Sequence, residues 1–260
     1  MRILRLMGRI FALSLQREMA FRTDLIFSLL MSIIDVAAGV LALAAVFGRV
    51  QALAGWRLEE ALVLLGCFEI VTGLLNTFIE PNLAWFTEKV TGGRLDDVLL
   101  QPLPSLFMAS LGSCRPLALR QVLLGAAVLA FGVAKAAHVL TPGGVLAFLV
   151  LILAGVAVTW ATRLLTATAA FFAPGMEPSV LYSAAWQLGR YPVSIYHPMV
   201  ARLLTYVVPA ALVATLPAAA LTRGATPGLL AVGLGMGVGA IAVAVFAWNA
   251  GIRRYTGATS

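Results

Sequence analysis

Glu80-Pro-Asn-Leu-Ala-Trp-Phe-Thr-Glu-Lys-Val-Thr-Gly-Gly-Arg-Leu-Asp-Asp-Val-Leu-Leu-Gln-Pro-Leu-Pro-Ser105 is the longest polar interruption in this chain, and its reading decides the fold. Its acids Glu80, Glu88, Asp96 and Asp97 are opposed by Lys89 and Arg94. Ionisable groups are expensive inside a bilayer, so lipid alone would not hold this segment. Almost everything on either side is apolar enough to sit in lipid. The stretch is therefore expected to lie in water or against another protein.

Composition agrees. Of 260 residues, 61% are hydrophobic and 11% charged, with a mean hydropathy of +0.98. An average soluble domain carries about 25% charged residues. Apolar runs of the length needed to cross a hydrocarbon core about 30 Å thick recur along the chain. Backbone polar groups cannot stay unpaired in lipid, so these runs are read as helices. The weak alternating pattern of an outer-membrane barrel is absent. The net charge of +7 sits at span ends, where it suits anionic lipid headgroups, and gives no nucleic-acid patch. Cys67 and Cys114 build neither a disulfide framework nor a metal motif.

Outward from the platform, the spans can be counted. In residues 1–22, Arg2, Arg5, Arg9 and Gln16 share one helical face; Ile3, Leu4, Met7, Ile10, Phe11 and Leu15 lie broadly opposite. This is the pattern of a helix lying in the membrane surface. A cleaved signal peptide is the alternative, but Arg9 interrupts its apolar core and no small-residue cleavage site follows. Spans are expected at Asp24–Phe47, Ala61–Ile79, Pro116–Ala137, Val145–Thr162 (extending to Phe172 if Arg163 snorkels), Ser179–Arg190 and Leu229–Trp248. Trp56, in the Arg49–Glu60 loop, reads as an interfacial anchor, and Thr141–Gly144 and Pro174–Pro178 read as turns. Met199–Leu221, interrupted by Pro209 and Pro217, suits a bent or re-entrant pair of half-helices better than a straight span. The glycines Gly233, Gly235, Gly237 and Gly239 would let the last span pack closely.

The Lys/Arg bias orients the chain. Basic residues gather in the N-terminal segment, in the platform and its approach (Lys89, Arg94, Arg115, Arg120) and in the tail (Arg253, Arg254). Both termini and the platform are therefore expected to be cytoplasmic, with about six spans. The expected location is the plasma membrane, a bacterial inner membrane.

Catalytic and metal motifs are missing. A phosphate-cradling Gly-rich loop needs a lysine in a defined setting, and neither Lys89 nor Lys135 has it. No cofactor is expected on this chain. His138 and His197 are isolated and read as interfacial bystanders. Asp35 and Glu69, with Asn76 seven residues on, are the candidate residues of a substrate path, together with Gln187 and Arg190. The plainer reading is bonding between spans, or to a base such as Arg190.

Within the platform, Thr91–Pro104 reads as a Gly-terminated turn, a short amphipathic helix and a proline stop. Leu95, Val98 and Leu99 would form one face; Arg94, Asp97 and Gln101 much of the other. An ordinary solvated loop is the alternative.

These features carry a resemblance. The surface helix, two spans, and Gly92-Gly-Arg-Leu-Asp96 before Leu99-Leu-Gln-Pro102 look like the ABC-2 type permeases, in particular the single-chain members of about this length. So do Arg190-Tyr-Pro-Val-Ser-Ile-Tyr196 and the later Pro209 and Pro217. The resemblance implies an all-α membrane protein with one transmembrane domain over residues 1–260. It makes 80–105 a cytoplasmic coupling region, with Arg94, Leu95, Asp96, Asp97, Val98, Leu99 and Gln101 seated on an ATP-binding subunit. It also makes 191–222 an external re-entrant gate, with Tyr191, Pro192, Tyr196, Pro209 and Pro217 in it. ATP and Mg would belong to the partner, and a second permease copy or related half-permease would complete an exporter embedded among lipids. Two rivals stand: an ion-coupled secondary transporter using Asp35 and Glu69, which would usually show internal repeats, and a membrane-embedded enzyme.

Overall fold

The computed structural model describes residues 2–20, 22–136, 140–173 and 178–258. The described residues are overwhelmingly helical, with a lone bridge between Leu53 and Trp56 in place of a sheet. In chain order the α-helices are α1 (Arg2–Met19), α2 (Arg22–Phe47), α3 (Leu58–Leu74), α4 (Glu80–Leu83), α5 (Phe86–Thr91), α6 (Asp96–Leu99), α7 (Ser105–Leu111), α8 (Leu119–Lys135), α9 (Pro142–Thr168), α10 (Pro178–Gln187), α11 (Pro198–Tyr206), α12 (Leu216–Thr222) and α13 (Pro227–Ala258). Among the described residues five stretches are long and apolar enough to cross a membrane: Leu25–Phe47, Leu58–Thr91, Pro116–Lys135, Pro142–Phe171 and Pro227–Tyr255. The chain is an all-α, multi-pass membrane protein.

The central helix is α3, whose residues Ala61–Phe68 are almost all buried. It packs on α8 through glycines at matching heptad spacing, Gly66 and Gly73 on one helix and Gly125 and Gly132 on the other. A β carbon at Gly66 would stand 2.7 Å from the Leu129 backbone nitrogen, and one at Gly125 would stand 2.8 Å from the Ile70 nitrogen. Helices meeting backbone to backbone gain dispersion contacts that lipid cannot replace. On the last span one of the two expected glycine pairs packs closely and the other does not. Gly233 and Gly237 face Leu151 and Ala154 on α9, while nothing lies within 4 Å of Gly235 or Gly239.

The second span does not stop at Ile79. A π-helical turn, Leu75–Ile79, widens it, and α4 and α5 continue it into the polar platform. Leu83, Phe86 and Leu95 are buried, with Phe86 edge-on to Phe171 and beside Trp248. Thus the first half of the platform is rooted in the chain's own core instead of standing free in water. The charges of Glu80–Ser105 hide this continuity in the sequence.

Ser179–Arg190 is not a span by itself. At ten residues, α10 rises about 15 Å, half a bilayer core. The other half is supplied from further along the chain. Along α3, Trp186 donates to Thr72, Gly189 touches Phe68, and Arg223 pairs with Glu60. Along α9, Tyr182 meets Thr162, Leu212 and Val213 meet Gly155, and Ala220 meets Gly144. Both neighbours give the same depth order, so α10 and the segment Ala211–Thr222 form one discontinuous crossing. The half-helices expected in Met199–Leu221 are present, bent by 77° between α11 and Ala211–Thr222. Pro209 removes a backbone donor at the bend, and a π-helical turn, Ala211–Thr215, precedes α12.

Two smaller expectations also change. Arg163 does not snorkel: its side chain is 4% exposed and paired with Glu80. Trp56 is buried, with the Arg223 guanidinium 4.2 Å above its ring. His138 and the Pro174–Glu177 part of the expected turn lie outside the described residues. Helix α1 is amphipathic, with Arg5, Arg9 and Gln16 exposed and Met7, Ile10, Phe11 and Leu15 half-buried.

Candidate functional site

At the joint of the discontinuous crossing the sequence-predicted polar residues meet. A one-turn 3-10 helix, Leu188–Arg190, ends α10 and turns the Arg190 guanidinium toward α2 and α3. It pairs with Asp35 Oδ2 and lies 3.6 Å from Glu69 Oε1, with the Phe68 ring 5.7 Å beneath it. The other Glu69 oxygen accepts from Gln121 Nε2 at 2.8 Å, and Gln121 Oε1 accepts from Asn76 Nδ2 at 2.9 Å. Asp35, Arg190, Glu69, Gln121 and Asn76 therefore form one continuous polar chain. Glu69 is fully buried and Asp35 half-exposed. The arrangement is interhelical pairing in the first instance: a carboxylate inside protein is tolerable when a guanidinium and an amide face it. Gln121 escaped the sequence reading. A glutamine at a span entry looks interfacial, and only the glycine seam between α3 and α8 sets it opposite Glu69.

Gln187 does not join this chain. It is exposed and lines a cavity of about 380 Å³ with Thr72, Asn76, Trp85, Tyr182 and Trp186. Below the joint lies a second ion pair. Arg163 on α9 grips Glu80 with both carboxylate oxygens, at 2.6 and 2.7 Å, and stacks 5.0 Å from the Tyr182 ring. Tyr182 in turn shares a 2.9 Å hydrogen bond with Thr162. The start of the platform, α9 and the lower half-helix α10 are thereby tied at one point. At the far end Arg223 holds Glu60 bidentately, 2.8 Å to each oxygen, and the Glu60 hydrogen bonds raise the arginine's already high pKa.

The platform residues divide into two sets. Arg94, Asp96, Asp97 and Gln101 are exposed, Arg94 in a pair with Glu88. Leu95 is fully buried and Val98 and Leu99 pack partly against the same core, so the apolar face expected to meet a partner instead anchors the platform to its own chain. The helix there is a single turn, Asp96–Leu99. Leu100, 84% exposed, and Trp85, 61% exposed, are the large apolar side chains on offer. Trp85 borders a cleft of about 570 Å³ with Glu88, Lys89, Arg94 and Asp97.

Of the expected gate residues, Pro192, Pro209 and Pro217 are buried. Tyr191 packs beside Leu43 and Leu62, and the Tyr196 hydroxyl donates to Leu188 O at 2.9 Å, fastening the excursion to the end of α10. His197 caps α11 through Nδ1.

A bundle with a discontinuous crossing, a polar joint inside it and a rooted hydrophilic platform defines a multi-pass membrane protein. A comparison with protein families matches residues 33–259 to the ABC-2 family transporter proteins, and the chain belongs to that family. It is accordingly a permease subunit of an ABC transporter, a class whose ATP-binding subunits are its general partners. Neither the curated proteins nor the solved structures compared gave a match.

Proposed function

We propose that this chain is the membrane half of an ATP-driven exporter, paired with a second copy or a related half-permease and driven by ATP-binding subunits docked on the cleft around Trp85. The observation that carries the reading is the Glu80–Arg163–Tyr182 junction, which joins the platform to the discontinuous crossing. A displacement of the platform would reach the crossing through that junction, because packed elements transmit shifts instead of absorbing them. Nucleotide shifts the equilibrium by binding one state more tightly than the other. ATP and Mg belong to the partner, whereas this chain carries no cofactor.

Half-exposed Asp35 on α2, a helix otherwise bare and apolar, supports a second permease copy or a hydrated central path against that face. The joint at Arg190 would then border the path, with Tyr191, Pro192, Tyr196, Pro209 and Pro217 above it as a gate. Six crossings place both termini and the platform on one side, the cytoplasmic side of a bacterial inner membrane by the Lys/Arg bias.

Co-purification with a co-expressed ATP-binding subunit tests the docking assignment. Leu100→Asp or Asp97→Lys should release that subunit while the permease remains folded. Full retention with coupled transport in both variants would refute the assignment. Transport by purified protein without any ATPase would instead favour an ion-coupled carrier running on Asp35 and Glu69.

A further inference from the structure

We infer that the platform end of the bundle holds a binding site for an anionic phospholipid headgroup, between α1, α2 and α8. A cavity of about 560 Å³ opens there, bordered by Glu18, Ser28, Asn76, Glu80, Arg115 and Arg120. Its depth is that of headgroups: Arg115 directly precedes the Pro116–Lys135 span, and Ser28 lies one turn into Leu25–Phe47. The cavity is only half enclosed, so a lipid in the surrounding leaflet can reach it while its acyl chains lie along exposed Ile26, Phe27, Leu29 and Leu30 on α2.

The charge balance selects an anion. The Glu80 carboxylate is neutralised by Arg163. One oxygen of Glu18 accepts from the Leu117 backbone N–H at 2.9 Å, which fixes α1 to the start of the third span. The Asn76 and Gln121 amides are occupied with each other and with Glu69. Arg120 donates only to neutral oxygens: Ser28 O at 3.1 Å, Ser32 Oγ at 2.8 Å and Leu117 O at 2.8 Å. Arg115 is exposed and its side chain makes no hydrogen bond or ion pair among the described residues. Two guanidinium groups thus face one carboxylate, Glu18, which acts on Arg120 through charge alone and spends a hydrogen bond on Leu117, so one positive charge is left over. Guanidinium donors match phosphate oxygens in geometry, and basic pockets between membrane helices take anionic lipid headgroups. Asn76, Glu80 and Arg115 also border the neighbouring cavity that holds Trp85, but the Trp85 cleft proposed for docking is lined by other residues, and the lipid assignment does not depend on it.

The test is native mass spectrometry of the purified full-length protein in neutral detergent, titrated with phosphatidylglycerol, with phosphatidylcholine and with inorganic phosphate. Phosphatidylglycerol should bind in preference to phosphatidylcholine, and inorganic phosphate should compete poorly because it lacks the apolar contacts along α2. Arg115→Gln cannot break an intramolecular bond; it should weaken phosphatidylglycerol about fivefold, the scale of one basic residue at a membrane surface. Arg120→Lys should retain most binding, and Arg94→Gln, on the far platform, should leave it unchanged. Equal binding of the two lipids, unchanged affinity in Arg115→Gln, an equal loss in Arg94→Gln, or full displacement by phosphate would each overturn the proposal.

Discussion

Gly189 and Ala210 lie against each other at the joint of the discontinuous crossing, so close that a β carbon on Gly189 would stand 3.0 Å from the Ala210 methyl. The chain leaves α10 at this point, makes the excursion through α11 and returns to the same place. The same added carbon would stand 3.2 Å from the Phe68 ring. The two half-helices therefore meet end to end at a position where any side chain would press on both Ala210 and Phe68.

Gly189→Leu should separate the halves. Overpacking of this kind costs about 1–3 kcal/mol, and the thermal midpoint in detergent should fall accordingly. Gly228→Ala, where nothing lies within 4 Å, serves as the control and should not move it. An unchanged midpoint in Gly189→Leu would show that the joint is looser than described.

Removing Arg190 should strand two carboxylates, one of them fully buried. Breaking a buried pair from one side typically costs about 3–5 kcal/mol. Arg190→Met should therefore destabilise strongly, and adding Glu69→Gln should recover part of the loss. If the double variant is no more stable than the single one, the pairing with Glu69 contributes nothing.

Leu95 and Leu100 should respond in opposite ways, although they flank the same short turn. Leu95→Ala opens a cavity under the platform and should cost about 2–5 kcal/mol, read as a lower unfolding midpoint of the permease alone. Leu100→Ala should leave that midpoint within about 0.5 kcal/mol, as for an exposed side chain. Equal destabilisation by both would contradict the buried anchorage of Leu95.

Gly125→Ala places a methyl 2.8 Å from the Ile70 backbone nitrogen and the same distance from the Glu69 β carbon. Backbone cannot yield as a flexible side chain can, so α3 and α8 must part. We expect a loss of about 1–3 kcal/mol and a weakened Gln121–Glu69 hydrogen bond. Amide exchange at Gly66–Gly73 should rise in the variant, and protection equal to the parent protein would count against the seam.

The positions of the long spans were legible in the amino-acid sequence because transfer of apolar surface into lipid is additive along the chain and needs no partner. The same local bookkeeping marked Asp35, Glu69, Asn76 and Arg190 as anomalies, since an ionisable group in an apolar run stands out wherever its partner lies. Arg190 could be named as a base for Asp35 and Glu69, and the structure pairs it with both. The geometry was not legible, because Arg190 reaches them only through the α10 turn, and Gln121, which sequence reading passed over, meets Glu69 only through the glycine seam. The crossing assembled from α10 and Ala211–Thr222 was hidden for the same reason: Ser179–Arg190 reads as a short span complete in itself, and nothing local shows that its other half lies further along the chain. Leu95 and Arg163 show the remaining limit. An apolar residue in a polar loop, or an arginine at a span end, reads as partner-facing or snorkelling until packing supplies a core or a carboxylate. Hydrophobicity is a property of the residue and fixes where the chain enters lipid; pairing is a property of distance, and only the tertiary structure sets it.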